Sequence, residues 1–126
     1  MSVLNLVDTS GWLEYAAGTE QGALFAPAIE DTENLVVSVI SIYEVFKKVL
    51  REKGEKAALE TIGDMLSGQI VDIDVSLALE AARHKLPLAD SIIYATALRL
   101  NAILWTQDKD FERFSGVKYF PKLSSQ

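Results

Sequence analysis

The sequence predicts a three-layer α/β/α fold with a mainly parallel sheet of four to five strands. Short apolar stretches alternate along the chain with longer amphipathic segments, the order typical of strands joined by helices. The stretches 3–7 and 35–39 are apolar almost throughout, as expected for parallel strands covered on both faces. With 126 residues, 49% of them apolar and 24% charged, the chain suits one globular domain spanning 1–126.

The first half of the chain is predicted to contain two strands and four helical segments. After strand 3–7, residues 12–15 form a short helix that ends at Gly18, and a weaker helical segment spans 20–30, bent at Pro27. After strand 35–39, a helix spans about 41–53 and ends at Gly54, the residue type that favours a helix C-terminus. A further helix follows over 55–66.

The second half is predicted to contain three strands and two helices. The strands are 70–73, 102–106 and 117–120, the last at an edge of the sheet. Asp74 is placed to cap a helix over 75–84, and Pro87 opens a helix that ends at a turn at Asn101. Residues 121–126 are predicted to be a frayed tail.

Composition narrows the chemistry that the chain can perform. Cysteine is absent and His84 is the single histidine, which excludes disulfides, thiolate chemistry and zinc sites with two or three histidines. A metal would therefore be held mainly by carboxylates, which favours Mg²⁺ or Mn²⁺. No apolar run is long enough to span a membrane and no signal peptide is recognisable, so we expect a cytoplasmic protein. We find no Gly-rich nucleotide-binding loop and no Gly-x-Ser-x-Gly motif.

Asp90 is the residue that most needs a functional explanation. In a helix it falls on the same stripe as Ile93, Ala97 and Leu100, the stripe that should face the core. A carboxylate there is costly to bury unless it is paired or binds a metal. Complementing the helix dipole from an exposed first turn would contribute less than ~1 kcal/mol, too little to explain an acid on a buried stripe.

Three further acids lie where strands lead into helices. Asp8 follows the first strand, Glu44 lies in the first turn after the second, and Asp108 follows the fourth. Ligands of open α/β sheets bind beyond the carboxyl ends of the strands, so these acids and Asp90 are placed to converge. Each also has a purely structural interpretation. Asp8 and Asp108 suit turn or cap positions, with Asp110 an alternative to Asp108, and Ser41-Ile42-Tyr43-Glu44 has the form of a capping box.

Lys47, Lys48 and Arg51 follow Glu44 along its own side of the predicted helix, with the apolar residues Tyr43, Phe46, Val49 and Leu50 opposite them. The structural interpretation is a solvated face with a Glu–Lys pair worth ~0.2–0.5 kcal/mol. The functional interpretation is a local group of cations that holds the phosphates of a bound strand. A chain of net charge −6 needs such a group, because its overall charge repels nucleic acid. The aromatic residues Trp12, Tyr43, Tyr94 and Trp105 are predicted to be core, and His84 is given no catalytic role.

Four segments of the chain together resemble the PIN-domain ribonucleases, and most closely the short VapC-type toxins of toxin–antitoxin pairs. They are Leu6-Val7-Asp8-Thr9-Ser10, Ser41-Ile42-Tyr43-Glu44-Val45, the stretch LADSIIYATA from Leu88 to Ala97, and LWTQDKDF from Leu104 to Phe111. No single segment is specific, but their order and spacing in a chain of this length are. The resemblance covers nearly the whole chain and implies a PIN-like fold.

The resemblance implies an acidic pocket made of Asp8, Glu44, Asp90 and Asp108, supported by the polar residues Ser10 and Thr106. Asp8, Asp90 and Asp108 would be ligands of one or two Mg²⁺ or Mn²⁺ ions, and Glu44 a ligand or the group that orients the attacking water. The implied activity is hydrolysis of RNA phosphodiester bonds. An RNA substrate, a cognate antitoxin and a homodimer are implied by the resemblance alone.

Four other functions compete with this hypothesis. An RNA-processing PIN nuclease would have the same pocket and no antitoxin. A phosphatase with Asp8 as nucleophile usually requires a second acid two residues later, where this chain has Ser10, and a receiver-like domain would require an acid pair near the N-terminus. A non-catalytic binding module would not need the complete set of acids.

Overall fold

The computed structural model of the protein describes residues 2–123, in which five parallel strands form a single sheet. The strands are β1 (Asn5–Val7), β2 (Leu35–Ser38), β3 (Gln69–Val71), β4 (Ile103–Thr106) and β5 (Val117–Tyr119). Their order in the sheet is β3-β2-β1-β4-β5, with every neighbouring pair parallel. The prediction of an α/β fold with a mainly parallel sheet is confirmed, and β5 lies at an edge as expected.

Seven α-helices connect and cover the strands. They are α1 (Thr9–Ala17), α2 (Glu20–Ala23), α3 (Ala26–Ile29), α4 (Val39–Lys53), α5 (Glu55–Met65), α6 (Val75–Ala82) and α7 (Leu88–Leu100). Short 3₁₀ turns occupy Thr32–Asn34 and Lys109–Phe111. The predicted stops are present, since Gly18 and Asn101 end α1 and α7 in the left-handed conformation. Asp74 caps α6 through a hydrogen bond from the Leu77 amide at 2.7 Å.

Alternation of side chains along the central strands creates two separate cores. Val7 and Trp105 face a core that also contains Trp12 of α1 and Val45 of α4. Their strand neighbours Leu6 and Leu104 point to the opposite face, and these two pack with Ile93 of α7. Because successive residues of a strand point to opposite faces, nearly continuous apolar strands require helices on both sides. The result is the predicted three layers.

Helix α7 is more deeply buried than its predicted stripe implied. All seven residues from Ser91 to Ala97 are buried, because α7 packs on the sheet from one side and is covered by α6 from the other. Leu77 and Ala81 of α6 form a small core with Ile92 and Ala95 of α7. The stripe of Asp90, Ile93 and Ala97 is thus only one part of the buried surface.

The C-terminal segment, which we define as residues 121–123, is held against the body of the protein, in contrast to the predicted frayed tail. The buried side chain of Gln21 donates from Nε2 to the Pro121 carbonyl oxygen at 3.2 Å and accepts from the Leu123 amide at 3.0 Å. The rest of the predicted tail, 124–126, lies outside the described residues. Within 2–123, no helix combines the length and the apolar character that crossing a membrane requires.

The strand order places a topological switch point at the centre of the sheet. From β1 the chain proceeds outward through β2 and β3 on one side, and it returns to β4 and β5 on the other. Loops leave the carboxyl ends of β1 and β4 in opposite directions, which opens a crevice between them. The residues that directly follow these two strands are Asp8 and Gln107-Asp108.

Candidate active site

Asp8 lies in the crevice at the switch point and is almost completely buried, with 3% of its surface exposed. Its amide donates to the Trp105 carbonyl oxygen at 3.1 Å, which extends the β1–β4 pairing by one bond. Its carboxylate accepts from the Gly11 amide at 2.9 Å and so caps α1. The turn-and-cap interpretation of Asp8 is therefore correct. Asp8 differs from an ordinary helix cap in that its carboxylate is buried.

The two supporting polar residues both contact the Asp8 carboxylate. Thr106 Oγ1 donates to Asp8 Oδ2 at 2.5 Å, and Ser10 Oγ lies 3.1 and 3.2 Å from the two carboxylate oxygens. Burial nevertheless raises the pKa of Asp8 from 3.8 to about 6, although these hydrogen bonds act in the opposite direction. The charge of nearby Asp108 contributes to the rise. The carboxyl group of Asp8 therefore keeps its proton to a higher pH than an exposed aspartate does.

Asp90 and Asp108 lie together with Asp110 in a cluster of carboxylates. One oxygen from each of the three lies within 4.8 Å of the others. Asp90 and Asp108 are half-buried, whereas Asp110 is exposed. Asp108 caps the 3₁₀ turn by accepting from the Asp110 amide at 2.9 Å, so the predicted cap is present as well. Both candidates for the fourth acid are close to Asp90, and Asp108 is the one whose charge also acts on Asp8.

Asp90 is the acid on which the charges of Asp8, Glu44 and Asp108 all act. Its pKa is raised from 3.8 to about 7, mainly by burial. The charge of Asp108, a hydrogen bond with it, and the charges of Asp8 and Glu44 account for the rest of that rise. Acids from four separate elements of the chain therefore act on one another here. Asp90 is half-buried and lies close to Asp108 and Asp110, whereas Asp8 is not among the acids whose oxygens all lie within 4.8 Å of one another.

Glu44 faces α1 instead of capping its own helix. Thr9 Oγ1 donates to Glu44 Oε1 at 2.6 Å and lies 3.1 Å from Ser41 Oγ. The capping-box interpretation is wrong, because α4 begins earlier than predicted and its N-cap is Ser38, whose hydroxyl accepts from the Ile40 amide at 3.3 Å. Ser41 lies inside the helix and is fully buried. The carboxylate of Glu44 is thereby directed toward the crevice.

Within residues 2–123, no salt bridge reaches the acidic pocket, which we define as Asp8, Glu44, Asp90 and Asp108. The salt bridges of the described chain involve other acids, namely Asp74, Glu52 and Glu80. Clustered carboxylates with raised pKa values are stabilised by a cation, and a set of oxygen donors suits a hard divalent ion. The residues present therefore fit a hard divalent metal ion.

The predicted RNA-binding cations on α4 are all exposed. Lys47 Nζ donates to Tyr43 Oη at 3.2 Å and lies over the ring of Tyr43. Lys48 and Arg51 both approach Glu52 Oε2, at 4.0 and 3.7 Å. Exposed pairs of this kind contribute little to stability, and their cations stay accessible to a ligand.

The predicted apolar face of α4 is only partly correct. Ser41, Val45 and Val49 are the buried positions of the helix. Tyr43 is 57% exposed and Leu50 is 41% exposed, so the assignment of Tyr43 to the core is wrong. The other three aromatic assignments are confirmed, since Trp12, Tyr94 and Trp105 are buried. His84 packs edge-on against Tyr94, with ring centroids 5.1 Å apart.

Two neighbouring cavities lie beside the pocket and share Ser10, Gln107 and Lys122 in their walls. The smaller, about 460 Å³, is completed by Asp108, Lys109 and Tyr119. The larger, about 780 Å³, lies between α1, α4 and α5 and contains none of the four acids in its wall. The smaller cavity is therefore the one that continues directly from the acidic pocket.

Sequence reasoning missed two contributors to this site. Thr9 holds the Glu44 carboxylate, and its position directly after Asp8 at a strand end was a signal that could have identified it. Buried Gln107 donates from Nε2 to Glu14 Oε2 at 3.1 Å and lines both cavities. The segment LWTQDKDF contains Gln107 but does not indicate its role, because its partner Glu14 lies on α1, far earlier in the chain.

Solved structures with this architecture include several toxins. A toxin–antitoxin complex from Klebsiella pneumoniae matches with a TM-score of 0.76 and 25% identity, covering 93% of this chain and 96% of that one. VapC20 from Mycobacterium tuberculosis, described as a toxin that cleaves the sarcin–ricin loop, gives 0.72 and 21% over 88% and 95%. The DNA-bound VapBC complex from Salmonella typhimurium gives 0.72 and 15% over 94% and 98%.

Comparison with curated protein sequences found no match. The family model of the PIN domain matches residues 6–117, a range that runs from β1 to the start of β5 and contains all four acids of the pocket. The resemblance drawn from the sequence is thereby confirmed: this chain belongs to the PIN-domain family.

Proposed function

We propose that the protein is a metal-dependent endoribonuclease that hydrolyses RNA phosphodiester bonds and acts as the toxin of a toxin–antitoxin pair. The observation that carries the proposal is the acidic pocket at the switch point, where burial and neighbouring carboxylates raise the pKa values of Asp8 and Asp90. Within residues 2–123, no salt bridge reaches any of the four acids. Membership of the PIN family supports nuclease chemistry at this place. The likeness to toxin structures supports the toxin role.

In the proposed site, Asp8, Asp90 and Asp108 would hold Mg²⁺ or Mn²⁺, and Glu44 would orient the attacking water. A bound divalent ion lowers the pKa of water and stabilises negative charge that develops on phosphate oxygens. Thr106 and Ser10 hold the Asp8 carboxylate in place by hydrogen bonds. Thr9 does the same for Glu44, which keeps the acceptor oxygens of the pocket in fixed positions.

The test is RNA cleavage by purified protein with Mg²⁺, with Mn²⁺ and with EDTA. Asp8→Asn and Asp90→Asn should each remove cleavage, because each takes a negative ligand from the proposed metal site. Asp31→Asn is the matched control, since exposed Asp31 precedes β2 and so lies at the amino ends of the strands, away from the pocket at their carboxyl ends. A wild type that cuts no RNA with either metal, or pocket variants that cut as well as wild type, would refute the nuclease proposal.

The α4 cations Lys47, Lys48 and Arg51 are proposed to contact phosphates of the RNA beyond the pocket. Replacing all three by alanine should weaken RNA binding without changing the metal requirement. The informative quantity is the slope of log Kd against log salt concentration, because each phosphate that a cation neutralises on a single strand contributes about 0.7 to it. If the slope is the same in the triple variant and in wild type, these cations do not contact the RNA.

The proposed partners are an antitoxin and a second copy of this chain, and the proposed location is the cytoplasm as a single domain over 1–126. Co-expression with the product of a neighbouring small reading frame tests the antitoxin. A stable complex that suppresses cleavage supports the toxin role. RNA cleavage without any such partner would instead favour an RNA-processing PIN nuclease. Phosphatase chemistry with Asp8 as nucleophile is poorly supported, because such enzymes usually have a second acid two residues later, where this chain has Ser10.

A further inference from the structure

The C-terminal segment is fixed to the fold at two points by one side chain. Gln21 is 6% exposed, and its amide group both donates to the Pro121 carbonyl oxygen and accepts from the Leu123 amide. A side-chain amide that makes both bonds to one stretch of backbone mimics strand pairing and fixes the register of that stretch. Lys122 lies between these two bonds, so its Cα position is determined by Gln21.

Lys122 lines the smaller cavity, which begins at Asp108 of the acidic pocket, and it also lines the larger one. In the wall of the smaller cavity the two cations Lys109 and Lys122 outnumber the single acid, Asp108. In the wall of the larger cavity four acids outnumber three lysines. A phosphate next to the reacting one is therefore better accommodated in the smaller cavity.

We propose that Lys122, positioned by Gln21, binds a backbone phosphate of the RNA adjacent to the bond that is cut. Lys109 lines the same cavity and adds to its positive charge. The proposed contact rests on the proposed nuclease function and adds a substrate-binding residue and a positioning residue to it. Lysine suits this role, because an ammonium on a flexible chain binds phosphate as a point charge without reading the base.

The experiment measures binding of a short, fluorescently labelled single-stranded RNA of mixed sequence to the Asp90→Asn protein, which separates binding from cleavage. Lys122→Ala in that background should weaken binding about fivefold at moderate salt. It should also lower the slope of log Kd against log salt by about 0.7, the value for one phosphate contact with a single strand. Lys122→Arg should keep both values. Arg83→Ala is the control for removing a positive charge, since exposed Arg83 pairs with Glu80 and lines neither cavity.

Gln21→Ala tests the positioning role. It should reduce the slope as Lys122→Ala does, and the double variant should bind no more weakly than Lys122→Ala alone, because both changes remove the same interaction. If Gln21→Ala lowers thermal stability but leaves the slope unchanged, Gln21 contributes only to stability, and its positioning role is overturned. If Lys122→Ala leaves both the affinity and the slope unchanged in a protein that binds the RNA, the proposed phosphate contact is overturned.

Failure of the nuclease proposal gives a different result. A wild type that binds the RNA but cuts it with neither Mg²⁺ nor Mn²⁺ refutes the proposed function, while a reduced slope in Lys122→Ala would still support the phosphate contact. A wild type that does not bind RNA overturns both. In wild type with an intact Asp90, Lys122→Ala should raise KM and leave kcat nearly unchanged, because the interaction exists before and during the reaction.

Discussion

Replacing Asp8 by asparagine should make the metal-free protein more stable at pH 8 while removing its proposed activity. Asn and Asp have nearly the same shape, so the variant keeps the packing of a side chain that is 3% exposed. What it removes is a negative charge in a buried place. The folded protein binds a proton at Asp8 more readily than the unfolded chain does, because burial raises the pKa from 3.8 to about 6.

The magnitude follows from that pKa change. A rise of about two units means that the ionised form is disfavoured in the fold by about 3 kcal/mol. Asparagine avoids this cost, but its NH₂ group must face Thr106 Oγ1, which now donates to the carboxylate. Rearranging that hydrogen bond costs about 1 kcal/mol. We therefore expect Asp8→Asn to gain about 2 kcal/mol over wild type at pH 8 in EDTA.

The direction of the pH dependence is fixed by the sign of the shift. Because the folded-state pKa is raised, wild-type stability decreases as the pH rises from about 4 through 6, and the loss is complete above that range. Between pH 4.5 and pH 8, Asp8 accounts for about 2 kcal/mol of this loss. The variant lacks the contribution of Asp8, so the difference in unfolding free energy between the two proteins should change by that amount.

Urea denaturation of both proteins in EDTA at pH 4.5 and pH 8 measures the difference. Using the difference removes most of the contribution of Asp90, which titrates in both proteins. Mg²⁺ should then stabilise wild type more than the variant, because a ligand that binds only the folded state raises its stability. A variant less stable than wild type at pH 8 in EDTA, or a difference that does not change with pH, would show that burial does not raise the pKa of Asp8.

Three further outcomes are expected. Thr106→Val should lower stability by about 1–3 kcal/mol and raise the pKa of Asp8 further, because a buried donor to the carboxylate is removed; the pH dependence of urea unfolding would reveal both effects. Gly22→Ala should strongly lower the melting temperature, because a Cβ there would lie 2.6 Å from the Glu14 carbonyl carbon and overlap the backbone of α1. A melting temperature within about a degree or two of wild type would contradict this overlap. The Mg²⁺ concentration needed for half-maximal cleavage should be higher at pH 6 than at pH 8. The reason is that Asp8 and Asp90, whose pKa values are raised to about 6 and about 7, bind the ion only when ionised. An equal Mg²⁺ requirement at both pH values would contradict their role as ligands.

The sequence by itself determined the fold class and the ends of the strands that carry the acids. Nearly continuous apolar strands, alternating with amphipathic helices, admit a parallel sheet covered on both faces and few other arrangements. Asp8 and Asp108 are recognisable because each comes at the end of such a strand. Local stop signals such as Gly18, Asn101 and the cap at Asp74 were predictable for the same reason, since they depend on residues a few positions apart.

Only the tertiary structure decided what depends on partners far along the chain. Thr9 and Glu44 are 35 residues apart, and their hydrogen bond shows that Glu44 faces the pocket and does not cap α4. Exposure of Tyr43 followed from which side of α4 meets the core, a choice that a helical pattern of mixed residues leaves open. The raised pKa of Asp90 required the other acids to be brought beside it by the sheet. Sequence patterns record local spacing, whereas burial and charge interactions in the pocket arise from elements that only folding brings together.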